Sequence, residues 1–66
     1  MECYITCRFY FDEEKIFEVH TLAIPERGDK IILKEKSFIV DEKVWKFAPT
    51  YTLGYLPIID IYLRLI

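Results

Sequence analysis

The chain has 66 residues and a mass of 8.0 kDa, room for one domain spanning residues 1–66 and no more. By surface scaling such a chain buries roughly 60% of its unfolded surface, enough for one thin core but not for a deep enclosed pocket besides. Its 53% hydrophobic and 17% aromatic content excludes disorder, and two Gly with three Pro exclude collagen-like or linker-rich designs.

Strand signals begin at once. Residues 3–11 alternate with a period of two, placing Cys3, Ile5, Cys7, Phe9 and Phe11 on one face and Tyr4, Thr6, Arg8 and Tyr10 on the other. Asp12-Glu13-Glu14-Lys15 reads as a solvated turn. Residues 16–24 resume as strand, with Phe17, Val19, Thr21 and Ala23 opposite Ile16, Glu18, His20, Leu22 and Ile24. A helix over 8–19 is the competing reading, but it scatters Phe11 and Phe17 away from a face holding Phe9, Ile16 and Val19.

Pro25-Glu26-Arg27-Gly28-Asp29 is the clearest turn, since Pro pre-sets φ and Gly supplies a permissive position. A short strand follows over 30–34 with Ile31 and Leu33 inward, then a Lys34-Glu35-Lys36 turn and a longer strand over 37–47. There Phe38 and Val40 share a face until Asp41-Glu42-Lys43 interrupts the alternation, which predicts a bend or bulge. Ala48-Pro49-Thr50 is expected to end that strand, leaving 51–57 irregular. The last nine residues alternate, with Ile59, Ile61, Leu63 and Leu65 inside and Asp60, Tyr62 and Arg64 outside. Five short strands with tight turns predict an all-β fold, a small antiparallel five-stranded meander closing into an SH3-like barrel that removes its exposed edges.

The stretch Pro25-Glu26-Arg27-Gly28-Asp29-Lys30-Ile31, followed by Ser37-Phe38-Ile39-Val40, resembles a layout of small SH3-like β-barrel proteins: a P-x-x-G-D turn, a short strand, a hairpin and an F/Y-x-V strand. It spans about residues 22–47. Many such proteins are small bacterial or phage-encoded products, so the resemblance implies a barrel and a phage- or mobile-element-type origin. It carries over no catalytic residue, and the acidic ALYDY-type stretch of peptide-binding SH3 domains is absent.

Chemistry-bearing residues are few. Cys3 and Cys7, four apart on a strand, lie about 13 Å from each other, too far to share a zinc ion or to bridge. With His20 they read as core cysteines and a surface histidine, and no metal or cofactor is expected. Ser37, the only serine, sits in a turn and offers His20 no nucleophile, so no enzyme is expected. The acidic turn at 12–14 lacks the spacing and the glycine of a calcium loop. No apolar run is long enough for a bilayer span, and the start lacks a basic n-region, so a cytoplasmic protein with no membrane contact is expected.

The charges are unevenly spread. Residues 1–26 hold six acids and two bases, residues 27–46 six bases and four acids, and the whole chain carries −2. Lys34, Lys36, Lys43, Trp45 and Lys46 interleave cations with an aromatic residue, as on open barrel faces that bind nucleic acid. Asp41 and Glu42 interrupt that run and the net charge is acidic, which ranks a nucleic-acid partner second. The leading reading is a protein–protein interaction module. Tyr and Trp exceed what one thin core needs, and they dominate interface energetics. Trp45, Tyr51 and Tyr55 are expected to supply the area and Lys43 and Lys46 the orientation, against an unidentified protein partner or a second copy in a homodimer.

Overall fold

The computed structural model describes residues 5–49 and 54–66, the side chain of Tyr55 excepted. Among them are five strands: β1 Ile5–Phe11, β2 Glu14–Thr21, β3 Lys30–Leu33, β4 Lys36–Pro49 and β5 Tyr55–Leu65. They form one sheet in the order β2-β1-β5-β4-β3, curled into an unclosed half-barrel. The all-β architecture expected from the alternation is present, and it is consistent with a small SH3-like barrel.

Two features depart from an antiparallel meander. β1 and β5 run parallel, pairing Thr6 with Ile58 through Tyr10 with Tyr62. β2 and β3, consecutive in the chain, lie at opposite edges of the sheet and do not pair. The physical reason lies in residues 22–29. Instead of turning back beside β2, this segment crosses to the far edge, where the Gly28 and Val40 amides donate to the Val40 and Asp29 carbonyls at 2.9 Å each. The P-x-x-G-D turn is closed by the Asp29 amide on the Glu26 carbonyl at 3.0 Å and by the Glu26 amide on Asp29 Oδ2 at 2.8 Å. Gly28 sits at φ 94°, where a side chain is strained.

The core occupies the concave face. Cys7 and Phe9 of β1, Phe38 and Val40 of β4, and Ile59, Ile61 and Leu63 of β5 are buried together, with Ile5, Phe11, Val19 and Ile24 against them. Phe11 meets Phe38 edge-on with ring centroids 5.3 Å apart, a favoured aromatic geometry. Burial pushes the Cys7 thiol above its ordinary value.

Two irregularities reassign faces. A register shift beside Phe9/Tyr10 leaves Ile16 as the extra residue of β2. It therefore packs on the core rather than facing away as simple alternation predicts. A second shift between Val40 and Glu42 makes Asp41 the extra residue of β4, where the sequence predicts a bulge. Strands β4 and β5 also run further than expected, through Ala48-Pro49 and from Tyr55 through Pro57. Pro57 is tolerated because β1 pairs β5 only as far as Ile58, so its missing N–H faces no third strand. Cys3, Tyr4, Thr50 and Tyr51 lie outside the described residues.

The β1–β2 and β3–β4 turns are two-residue hairpins with positive φ at both central positions: Asp12 54° and Glu13 65°, Lys34 50° and Glu35 68°. That is the type I′ geometry, which glycine and asparagine fill most easily. Glu13→Gly and Glu35→Gly are each expected to stabilise by about 0.5–1 kcal/mol, raising Tm by several degrees in a thermal melt. Ile61→Ala at the centre of β5 is expected to cost about 2–5 kcal/mol. For a domain this small that is most of the total stability, so its urea transition should lose the folded baseline.

Candidate functional site

The bulge at Asp41 decides where the single tryptophan points. Before it, the even-numbered Phe38 and Val40 face the core; after it, Lys43, Trp45 and Phe47 pair with Ile61, Ile59 and Pro57 and take the core-side face. Trp45 stands at the end of the core, opposite the buried Ile59, and Phe47 lies past it. Beyond the Thr6–Ile58 pair, β4 and β5 continue as a two-stranded arm through Phe47–Pro57, Ala48–Leu56 and Pro49–Tyr55. Trp45 and Phe47 stack with centroids 6.2 Å apart and planes 14° from parallel, and they remain 46% and 59% exposed. Leu56, on the opposite face of the arm, is exposed as well. The radius of gyration, 12.7 Å with a long axis of 41 Å, exceeds the roughly 11 Å of a compact chain this long.

The expected companions of Trp45 are distributed differently. Lys43 shares its face but is turned to the crossing segment, where Nζ donates to Glu26 Oε2 at 2.7 Å. Lys46 points to the opposite face, as strand alternation requires. Tyr51 lies outside the described residues, and of Tyr55 only the backbone is placed, opposite Pro49. Lys34 and Lys36 belong to the far hairpin; nine residues of extended strand separate Lys36 from Trp45, about 30 Å. The lysines read together as a nucleic-acid face therefore do not form one surface.

On the convex face the structure shows a residue that the alternation places outside and in water. Asp60 is fully buried. It lies between Arg8 of β1 and Val44 of β4, and Tyr10 and Tyr62 stack beside it with ring centroids 5.4 Å apart. Lys46 Nζ meets Asp60 Oδ2 at 2.6 Å while its own side chain stays half exposed; Oδ1 has no hydrogen-bond partner. Contact with this carboxylate, reinforced by its charge, pushes the Lys46 ammonium above its ordinary value. Arg8 Nε turns instead to Glu18 Oε1 at 3.5 Å. Glu18, held mainly by Lys15 and secondarily by Arg8, is lowered from the usual carboxylate range. Next to it His20 Nδ1 lies 3.1 Å from Thr6 Oγ1, the satisfied surface histidine expected. A sequence signal for Asp60 exists: it is the sole acid among residues 47–66, set in an apolar run.

No protein-family model, curated protein or solved structure matches this chain. Among the described residues no three His, Cys, Asp or Glu side chains cluster as metal ligands, and no helix is long and apolar enough to cross a membrane.

A buried carboxylate whose counter-ion is removed is far more costly than the neutral amide in the same place. Lys46→Met should therefore lower the urea midpoint more than Asp60→Asn does, and the double variant should recover much of the loss. Because the folded state raises the Lys46 value, the pair's contribution is complete below the ordinary 10.5 and is lost as pH rises through the higher folded value. The wild-type midpoint should fall in that alkaline range more steeply than that of the double variant.

Proposed function

We propose that this chain is a small protein–protein interaction module whose recognition element is the β4–β5 arm, with a second copy of the chain as its simplest partner. The observation that carries the reading is the stacked and half-exposed Trp45–Phe47 pair, set on the core-side face where β4 and β5 run out past the end of the core. An isolated two-stranded ribbon is only marginally stable in water, and large aromatic side chains at a surface are the commonest energetic anchors of interfaces. A self-complementary contact would cover the same patch on both copies. The Lys43–Glu26 pair, two residues before Trp45, holds β4 to the crossing segment at the base of the arm. A cytoplasmic setting belongs to the same proposal.

The chain holds one tryptophan, so its fluorescence reports this surface directly. Sedimentation across a dilution series should show twice the monomer mass at high concentration, with Trp45 shielded from iodide and exposed again on dilution. Phe47→Ala should leave the circular dichroism native and yield a monomer with freely quenched Trp45. A wild-type chain that stays monomeric and freely quenched throughout, and from which Trp45→Ala removes no partner captured from host extract, overturns the proposal.

A further inference from the structure

Because β2 and β3 do not pair, the half-barrel keeps an open seam, and the seam is a groove of about 350 Å³. Ile16 and Phe17 of β2 form one wall and Ile32 and Leu33 of β3 the other, while Phe11, Phe38 and Leu65 form the floor. This volume lies in the range of small-molecule sites, which are mostly apolar with a few orienting polar groups. Ile32 is 66% exposed on its wall, and Phe17 and Leu65 are also exposed.

The charged residues lining the groove are Lys34 and Lys36, both at its β3–β4 turn end. Among the described residues neither makes a salt bridge, in contrast to Lys15, Lys43 and Lys46, each held by a carboxylate. The acids of the adjacent turns, Asp12, Glu13 and Glu35, are not part of the lining. An apolar trough that ends in two unpaired cations is complementary to a molecule with an apolar chain and one terminal anion. We infer that the seam binds a free single-chain amphipathic carboxylate, its chain laid over Phe11 and Phe38 and its carboxylate between Lys34 and Lys36. Residues of the two edge strands that the topology keeps apart thus gain a shared apolar filling, with the charge contact setting its direction. The site lies at the opposite end of β4 from Trp45 and does not rest on the function proposed for the arm.

The test is an amide chemical-shift titration of the full chain with octanoate, with 1-octanol and octylammonium as probes of the same chain length. Octanoate should move the amides of Phe11, Ile16, Ile32 and Lys34 saturably and bind at least tenfold more tightly than octanol, with octylammonium weakest. The exposed double substitution Lys34→Glu/Lys36→Glu should reverse the order of octanoate and octylammonium. Ile32→Asp should abolish octanoate binding, and Trp45→Ala should leave it unchanged. Equal binding of octanol and octanoate, shifts that do not saturate, or shifts confined to Trp45 and Phe47 would overturn the inference. So would movement of the groove amides on simple dilution, because a second copy would then fill the seam.

Discussion

The fold is organised by the need to bury the middle of strand β5, Ile59–Ile61, on both faces at once. It is the central strand of the five, with β1 on one side along Ile58–Tyr62 and β4 on the other. Its concave side chains, Ile59 and Ile61, are the centre of the core, and its convex Asp60 is equally inaccessible. A strand so placed cannot leave a carboxylate unattended, since an ionised group out of water needs a counter-charge. Lys46 supplies it from the neighbouring strand, and the Tyr10–Tyr62 pair lies beside the two. The ion pair joins β4 to β5 and the tyrosine stack joins β1 to β5, so the two together report that the three strands are in register.

Register in turn depends on one residue. Without the extra residue at Asp41, β4 would keep its even-numbered side chains on the core face throughout, and Trp45 and Phe47 would turn outward beside Arg8 and Asp60. Lys46 would then face the core, where the carboxylate is not. The bulge therefore satisfies two requirements together: it aims a cation at the buried acid and aims the aromatic pair at the open end of the concave face. The arm's exposed aromatic rings and the convex ion pair are consequences of the same local kink.

Much of this is legible in the residues. The alternation of β1 and of the C-terminal run, the Pro25–Asp29 turn and the interruption at Asp41 are local, and each is visible because side-chain period and turn chemistry are local properties. What alternation could not convey is which strands become neighbours. The parallel β1–β5 pairing, the separation of β2 from β3 and the burial of Asp60 all follow from strand order, and strand order is decided by the crossing of residues 22–29. The cluster read around Trp45 illustrates the point. Lys43, Trp45 and Lys46 are close in sequence, yet alternation splits them between two faces, and Lys43 is drawn to Glu26, seventeen residues away.

The two ends of the long axis place opposite demands on so thin a core. At one end β4 and β5 outrun their third strand and leave aromatic area in water; at the other, β2 and β3 fail to meet and leave an apolar trough. The strained type I′ turns at Asp12-Glu13 and Lys34-Glu35 stand beside the seam rather than the arm. Closing the barrel would have to draw the two edges together over Lys34 and Lys36, placing two ammonium groups, neither in a salt bridge among the described residues, against Ile16 and Phe17. An open seam avoids that cost, and in this sequence the lysines that line the groove also oppose its closure.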